Sequence, residues 1–283
     1  MRTLRIAAAC VALFGAAVLA ADQPYWMEPM RRVHGGPGRG TLYVAQLGDS
    51  ITYSMAFWAP LEWADPTPYI TQDGLPKVPG TARWRDVITG CRDKGQENGN
   101  FSGWRVTSIV GVVDHVLATK HPDAAILMVG TNDVAGGTVP TRYREELENV
   151  VRKCLAARCI PILNTIPPRR GQVKAVEETN KIIRDVAVRF SIPLVDYYAE
   201  ILRLQPGNAW DGTLIDRDGV HPTAGRTQDY SAANLKASGY ALRNWLNFLM
   251  VRELYFAILG PVRVPRSGGP PKPSSNPYDK VIR

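Results

Sequence analysis

The amino-acid sequence predicts an α/β fold in which helices cover both faces of a parallel β-sheet. Short, continuous apolar runs alternate along the chain with longer segments whose apolar residues recur at helical spacing. The short runs are unbroken instead of alternating with polar residues, which indicates strands that are buried on both faces. In sheets of this kind, sites form at the carboxyl ends of the strands.

Four apolar runs are predicted as strands, and two of them end in polar motifs. The runs are Thr41–Leu47, Ala124–Val129, Ile160–Ile166 and Ile192–Tyr198. Gly48–Ser50 follows the first run and Gly130–Asp133 follows the second. We therefore expect both motifs at the edge of the sheet where sites form.

Helical spacing predicts four longer helices between and after these strands. They cover about Val106–Leu117, Tyr143–Leu155, Val176–Phe190 and Leu235–Leu259. Residues 84–91 are interpreted as a short helix, and residues 59–80, which hold five prolines, as a long loop.

The two ends of the chain differ in composition from its middle. Arg2 and Arg5 precede an almost wholly apolar run, and small residues lead up to Asp22, which is the pattern of a secretory signal peptide. We predict a signal peptide at 1–20, an extended lead-in at 21–40, one folded domain at 41–259 and a disordered basic tail at 260–283. The protein would then be secreted or periplasmic. An uncleaved membrane anchor is the alternative interpretation of the N-terminal run.

The net charge does not point to a particular partner. The formal charge of +8 falls to +6 without residues 1–20, and the excess is spread along the chain. We interpret it as a solvated basic surface, with attraction to acidic glycans or a cell surface as the alternative. The sequence has no nucleic-acid-binding motif, so no nucleic-acid partner is expected.

The cysteines that follow the signal peptide do not predict a metal site. Cys91, Cys154 and Cys159 lack a CxxC motif and zinc-type spacing. An exported protein could oxidise a pair, but Cys154 and Cys159 could bond only if the helix ends between them. Buried free thiols are the other interpretation.

A short motif near the C-terminus carries the chemistry. Asp218 precedes His221 by three residues in a loop punctuated by Gly219 and Pro222. This spacing can place the carboxylate beside one imidazole nitrogen and leave the other nitrogen free as a general base. A serine hydroxyl needs such a base to become nucleophilic. Ser50, at the end of the first strand, is the natural partner, so Ser50, Asp218 and His221 are the candidate catalytic residues.

Three motifs together resemble the conserved blocks of the SGNH (GDSL-type) hydrolase superfamily. Gly48–Thr52 resembles its GDS(L/I) block, Gly130–Asp133 its GTND block, and Asp218–Pro222 its DxxHP block. They occur in the family's order, and the resemblance spans roughly residues 41–256. It implies a three-layer α/β/α sandwich with a flavodoxin-like parallel sheet. It also implies a serine esterase that works through an acyl-enzyme and needs no cofactor and no metal.

The resemblance further implies an oxyanion hole with three donors. These would be the backbone N–H of Ser50, a glycine N–H and the side-chain amide of Asn132. Gly103 is the candidate glycine because it directly precedes the predicted Val106 helix and fits the family's turn. Gly99 is the alternative, since the apolar strand that usually precedes this glycine is missing from the sequence.

Other residues near the motifs are candidates for substrate contacts. Trp58, Trp63, Trp104 and Arg105 flank motif loops and could line a sugar-binding or acyl-binding face, with core or rim packing as the alternative. Arg169 and Arg170 could contact an anionic substrate group, or be solvated loop charges. The family usually passes almost directly from its HP pair into the last helix through a Gly-Tyr pair. Here residues 223–238 intervene, and we expect this insert near the site.

These observations predict a secreted serine esterase that acts on small-molecule or polysaccharide esters. O-acetyl groups on carbohydrate are the expected substrate class, because many exported members of the resembling family act on them. The alternatives are a lipid-directed esterase or lysophospholipase of the same fold, an acyltransferase, and a non-catalytic glycan-binding module. No stable membrane span is expected after signal cleavage.

Overall fold

The computed structural model describes residues 23–35, 42–70 and 83–260. The predicted signal peptide and the predicted tail beyond Gly260 lie outside the described residues. A parallel sheet of five strands forms the centre. The strands are β1 (Leu42–Gly48), β2 (Ile88–Thr89), β3 (Ala124–Met128), β4 (Ile160–Asn164) and β5 (Leu194–Val195).

Helices flank the sheet. They are α1 (Met27–His34), α2 (Ser50–Tyr53), α3 (Trp84–Val87), α4 (Val106–Lys120), α5 (Tyr143–Ala156), α6 (Val173–Phe190), α7 (Tyr197–Leu204), α8 (Ala232–Leu235) and α9 (Gly239–Leu254). Short 3₁₀ turns cover Ala59–Glu62, Thr67–Tyr69 and Gln96–Asn98, and a π-helical turn, Tyr255–Leu259, continues α9.

The strand order confirms the predicted fold class. The strands lie side by side in the order β2-β1-β3-β4-β5, which is the flavodoxin-like arrangement of doubly wound α/β proteins. The direction of winding reverses between β1 and β3, which makes their junction the topological switch point where ligands bind in such folds. Gly48 at the end of β1 is in register with Met128 at the end of β3. The motifs that follow these two strands are therefore neighbours.

The three central strands are buried, as their continuous apolar sequences predict. Every residue of β3 and β4 is buried, and in β1 only Tyr43 is partly exposed. Burial on both faces removes the period-two alternation that a half-exposed strand shows. Among the residues that the structure describes, no helix is both long and apolar enough to cross a bilayer.

The prediction of a short helix at residues 84–91 is only half right. Helix α3 ends at Val87, and Ile88–Thr89 forms β2, which pairs with Leu42 and Tyr43 of β1. The chain then leaves the sheet and returns at Asn100, which forms a bridge with Gly48. The outer strand is therefore interrupted by residues 90–99, and this detour is why no apolar run precedes Gly103.

The prediction that residues 21–40 are extended is wrong for the described part, because Met27–His34 is helical. Trp26 and Met30 are buried, and the Arg31 guanidinium donates to the carbonyl of Ala257 at 3.2 Å. Packing against the Tyr255–Leu259 turn stabilises this helix, and Pro29 is tolerated because it lies in the first helical turn, where its missing N–H removes no intrahelical hydrogen bond.

The last helix begins later than Leu235, the predicted start. The short helix α8 ends there, and α9 begins at Gly239, where the Ser238 hydroxyl caps it by accepting from the Ala241 N–H at 3.1 Å. A Cβ at Gly239 would lie 2.1 Å from the Leu214 carbonyl oxygen, so this helix start needs a glycine.

The three cysteines are buried free thiols, which was one of the two interpretations left open. Helix α5 does end between Cys154 and Cys159, at Ala156. Burial, and then the hydrogen bond with Cys154, raise the pKa of the Cys159 thiol well above its usual value. The Cys159 thiol is therefore protonated at neutral pH.

Candidate active site

The structure brings Ser50, His221 and Asp218 into one hydrogen-bonded chain. Ser50 is the first residue of α2, directly after β1, and its Oγ lies 2.9 Å from Nε2 of His221. His221 Nδ1 lies 2.5 Å from Oδ2 of Asp218. The serine and the histidine are 171 positions apart in sequence. The arrangement can take a proton from the hydroxyl and hold the resulting imidazolium against a carboxylate.

Asp218 is held so that it stays ionised. Its second oxygen, Oδ1, accepts the backbone N–H groups of Val220 and His221 at 2.8 and 2.9 Å. Partial burial raises the pKa of Asp218, but these bonds and the His221 side chain outweigh that effect, and its pKa lies below the usual value. A carboxylate on Nδ1 keeps the proton on that nitrogen and leaves Nε2 as the acceptor that faces Ser50.

Gly48 and Asp49 set the local conformation of the serine. A Cβ at Gly48 would lie 2.3 Å from the Thr52 hydroxyl oxygen and 2.4 Å from the Met128 carbonyl oxygen, so only glycine fits between β1, β3 and α2. The Asp49 carboxylate caps α2 by accepting the Ile51 N–H at 3.0 Å. Asp49 therefore has a structural role.

The second motif joins β3 to the start of α4. The Asn132 side-chain amide donates to the carbonyl of Trp104 at 3.0 Å, and the Asp133 carboxylate accepts the Val106 N–H at 3.2 and 3.3 Å. An amide nitrogen carries two hydrogens, so Asn132 can donate a second bond while it holds Trp104. This motif thus holds Trp104 and Val106 at the start of α4.

The two candidate glycines for the oxyanion hole have different surroundings. Both are in the left-handed conformation, Gly99 with φ +87° and Gly103 with φ +78°. Gly99 packs against β1, where its carbonyl accepts the Gly48 N–H at 3.1 Å and a Cβ would lie 2.4 Å from a methyl carbon of Leu47. Gly103 is exposed, with open space where a Cβ would be. The open position favours Gly103, whose role as a donor stays a prediction.

Arg169 and Arg170 hold the loops of the site together. Arg169 donates to the Thr131 carbonyl at 2.8 Å. The Arg170 guanidinium binds both carboxylate oxygens of Asp211 and the Arg217 carbonyl, and its backbone N–H donates to Gly219 at 2.8 Å. Both side chains are thus engaged by protein groups, which does not favour the hypothesis of an anionic substrate contact. No pattern in the sequence predicts that these two arginines brace the loops.

The predicted tryptophan contacts separate into core and surface. Trp58 is fully buried and belongs to the core, whereas Trp63 is 47% exposed. Trp104 is half-buried at the site and forms a row with two other rings, Tyr53 and Phe101. The Tyr53 and Phe101 centroids are 5.1 Å apart, and those of Phe101 and Trp104 are 6.2 Å apart. We call these three rings the aromatic row.

Sequence reasoning missed Tyr53 and Phe101 as members of this row. Tyr53 lies one turn after Ser50 in α2, and Phe101 is brought beside it when its N–H donates to the Gly48 carbonyl at 3.2 Å. The only available signal was the position of Tyr53 three residues after the serine. Arg105 is exposed at the start of α4.

The insert at residues 223–238 packs on the last helix. The Tyr230 ring stacks on Trp245 of α9 at 5.5 Å and meets the edge of Tyr69 at 5.6 Å. Asn244 donates to Ala56 at 2.9 Å, in the loop that follows α2. The insert therefore packs on the same helix, α9, as the loop that follows α2.

In the described part of the chain, no three His, Cys, Asp or Glu side chains are grouped as a metal site would require.

Comparison with known proteins places the chain in a family. The model of the GDSL-like Lipase/Acylhydrolase family matches residues 47–225, a range that includes all three motifs. No curated protein sequence matches the chain.

Three solved structures have a similar fold. A lipase/acylhydrolase from Enterococcus faecalis is 20% identical with a TM-score of 0.53, covering 79% of this chain and 100% of its own. An alpha/beta hydrolase enzyme from the metagenome of Lake Arreo, Spain, is 17% identical with a TM-score of 0.52, covering 78% and 97%. A GDSL-like lipase from Bacteroides thetaiotaomicron is 16% identical with a TM-score of 0.50, covering 82% and 99%. The chain belongs to the GDSL-like lipase/acylhydrolase family, a family of ester hydrolases, and has its α/β fold.

Proposed function

We propose that the protein is a serine esterase whose nucleophile is Ser50, activated by His221 and Asp218. The observation that carries this proposal is the continuous hydrogen-bonded chain from Ser50 Oγ through the imidazole to Asp218. It lies at the switch point of the sheet, where doubly wound folds bind their ligands. Membership of a hydrolase family supports the same reaction class.

The geometry suits acyl transfer in two steps. Ser50 attacks the ester carbonyl while His221 Nε2 takes its proton, and Asp218 stabilises the imidazolium. The oxyanion is held by the Ser50 N–H, the Asn132 amide and the Gly103 N–H. His221 then returns the proton to the leaving alcohol, which leaves an acyl-enzyme. Water, deprotonated by His221, attacks this ester and releases the acid and the free serine.

O-acetylated carbohydrate is the substrate class that we propose. The aromatic row begins one turn from Ser50 and ends at Trp104, whose carbonyl binds Asn132. Half-exposed ring faces carry partial negative charge, which attracts the C–H groups on the flat side of a sugar ring.

Export through the signal peptide at residues 1–20 would bring the enzyme to acetylated polysaccharides outside the cytoplasm. Mass spectrometry of the exported protein should find an N-terminus near Ala21, and exported material that still begins at Met1 would contradict cleavage of a signal peptide.

A lipid-directed esterase is the second candidate. Met55 and Trp63, in the segment after α2, are 45% and 47% exposed and could contact an acyl chain. Acetate release from acetylated polysaccharides, set against fatty-acid release from phospholipids, separates the two candidates. The same assay with a free sugar as acceptor shows whether the acetyl group passes to water or to another alcohol.

Replacement of the nucleophile tests the reaction class. We expect Ser50→Ala to lower kcat for p-nitrophenyl acetate by at least about 10³-fold, because the acyl-enzyme can no longer form. The control is Ser54→Ala, a nearby serine whose hydroxyl accepts a backbone N–H of Ala56. A p-nitrophenyl phosphonate should release p-nitrophenol and add the mass of its phosphonyl group to Ser50 alone. Unchanged hydrolysis by Ser50→Ala would rule out the triad, whereas a native protein that hydrolyses no ester would favour the non-catalytic glycan-binding role.

A further inference from the structure

Arg243 is a fully buried cation directly behind the candidate nucleophile. It lies on α9, and its guanidinium donates to the Ile51 carbonyl and to the Thr52 hydroxyl, both at 3.0 Å. Its central carbon lies 3.5 Å from the centroid of the Phe57 ring. Ile51 and Thr52 are the two residues that follow Ser50, so Arg243 holds the helix that carries the serine.

The partners of Arg243 are unusual for a buried charge. Arginines in protein interiors are normally paired with carboxylates, whereas this one binds a carbonyl, a hydroxyl and a ring, and its Nε atom has no hydrogen-bond partner. Burial lowers the pKa of Arg243 to about 10, so it is still charged at neutral pH. Its charge faces the carbonyl end of α2, where a helix carries partial negative charge.

Lys94 holds the same helix end from a second side. Its ammonium donates to the Thr52 carbonyl at 2.7 Å and to the Phe57 carbonyl at 3.1 Å. Burial, and then the charge of Arg243, lower the pKa of Lys94 to about 7. At the other end of α2, the Asp49 carboxylate is fully buried, and its Oδ2 atom has no hydrogen-bond partner. Helix α2 is therefore held between a buried carboxyl group and two basic side chains.

A helix as short as α2 needs this support. Four residues are too few for a stable isolated helix, because the first turn fixes several dihedral angles for one hydrogen bond. The tertiary contacts of α2 must therefore set the direction of the Ser50 side chain. Arg243 supplies two of these contacts with a rigid, planar group.

We propose that Arg243 is a positioning residue that keeps the Ser50 hydroxyl within reach of His221. It touches no reacting atom and acts only through Ile51 and Thr52. The inference rests on the proposed function, since it assumes that Ser50 is the nucleophile. It predicts that loss of the guanidinium slows attack by the serine and leaves substrate binding almost unchanged.

The test compares two buried arginines on one helix. Arg243→Met fills the same space without the charge, and Arg252→Met is the control, because Arg252 is also buried on α9 and lies 5.2 Å from the Phe256 ring. We expect Arg243→Met to lower kcat for p-nitrophenyl acetate by roughly 10- to 100-fold, as for a small misplacement of a catalytic group. KM should change by less than about 3-fold, and phosphonate labelling of Ser50 should slow as much as kcat.

Two further variants keep the test valid if Arg243→Met does not fold. Thr52→Val removes one acceptor and keeps the volume, and Arg243→Lys keeps the charge without the planar fork. Both should slow labelling of Ser50 less than Arg243→Met does. The inference is overturned if folded Arg243→Met matches Arg252→Met in kcat, or if Thr52→Val and Arg243→Lys label at the native rate. Activity that survives in Ser50→Ala would instead overturn the proposed function, whatever Arg243 does.

Discussion

Two carboxyl groups beside the candidate catalytic residues have pKa values far above the usual range. Burial raises the pKa of Asp49 to about 6, although the Ile51 N–H and Arg243 oppose it. Burial likewise raises the pKa of Asp133 to about 6, against the Val106 N–H and Arg105. Each accepts a backbone N–H at the start of a helix. These residues make the geometry of the site depend on pH, apart from any titration in the reaction.

The stability of the protein should fall as pH rises from about 4 to about 6. A folded pKa of about 6 exceeds the ordinary value of 3.8 for Asp49, so the folded state binds a proton more tightly than the unfolded state. Stability is then greatest below the unfolded pKa and is lost as pH rises through the folded one. The contribution of Asp49 is up to about 3 kcal/mol. Urea unfolding at pH 4.5 and 7 measures it.

Asp49→Asn isolates this contribution. The amide keeps an oxygen that can cap α2 but has no proton equilibrium, so the loss of free energy of unfolding between the two pH values should shrink. Glu145→Gln is the matched control, because the Glu145 side chain is 70% exposed. A variant at Asp49 that keeps the full pH dependence would show that its carboxyl is not the source.

At the scale of elements, the loop that carries Asp218 and His221 depends on the segment after β4. Arg170 binds this loop through its backbone N–H to Gly219 and through its guanidinium to Asp211 and Arg217. Arg170 therefore links the segment after β4 to the loop that carries His221 and Asp218, although β4 supplies no candidate catalytic residue. Through this link the sheet holds His221 over the end of β1.

Gly219→Ala should separate this bracing from simple backbone strain. Gly219 has φ +72°, and a Cβ there would lie 2.6 Å from the Cβ of Arg170. Gly212, in the same loop, has φ +77° and open space around its Cβ position. Alanine at either site should cost about 1–2 kcal/mol for the left-handed conformation. Only Gly219→Ala should also displace Arg170 and lower kcat, by roughly 10-fold.

Thermal unfolding and p-nitrophenyl acetate kinetics on both variants check this expectation. Equal kcat values for Gly219→Ala and Gly212→Ala, at similar stability, would mean that Arg170 does not hold the catalytic loop.

At the scale of the whole molecule, the two ends of the described chain close against each other. Helix α1 packs on the Tyr255–Leu259 turn and on β4, and its Met30 is 1% exposed. Both segments lie outside residues 47–225, which the family model matches. The part of the fold that the family model matches is thus packed against segments outside that match, and removal of their contacts should affect stability more than chemistry.

Met30→Ala should lower the free energy of unfolding by about 2–5 kcal/mol, because a buried methionine leaves a cavity. Val188→Ala, at a side chain that is 65% exposed, should change it by less than about 0.5 kcal/mol. Urea unfolding measures both, and kcat at a temperature where both are folded should be unchanged. A stability change as small as that of the control would show that α1 does not contribute to the core.

The sequence predicted the parts of the molecule that local pattern determines. The apolar runs of β1, β3 and β4 and the motifs at their ends define the sheet and bring Ser50 and Asn132 to one edge. The pairing of β2 was not predictable, because Ile88 and Thr89 become a strand only through non-local bonds to β1. Helix α1 was not predictable for the same reason, because a non-local hydrogen bond to Ala257 helps to hold it. The contacts of Arg243 were not predictable either, because a single arginine in an apolar helix does not indicate which loop its side chain binds.

Both outer strands of the sheet, β2 and β5, are only two residues long. An exposed strand edge is a template on which another polypeptide can build, and natural proteins limit the hazard by keeping such edges short. Residues 90–99 interrupt one edge by leaving the sheet, and on the other side β5 gives way at once to the start of α7. A strand from another molecule would find too few free backbone amide and carbonyl groups on β2 or β5 to form a stable pairing. We expect concentrated solutions of the folded protein to resist edge-to-edge aggregation.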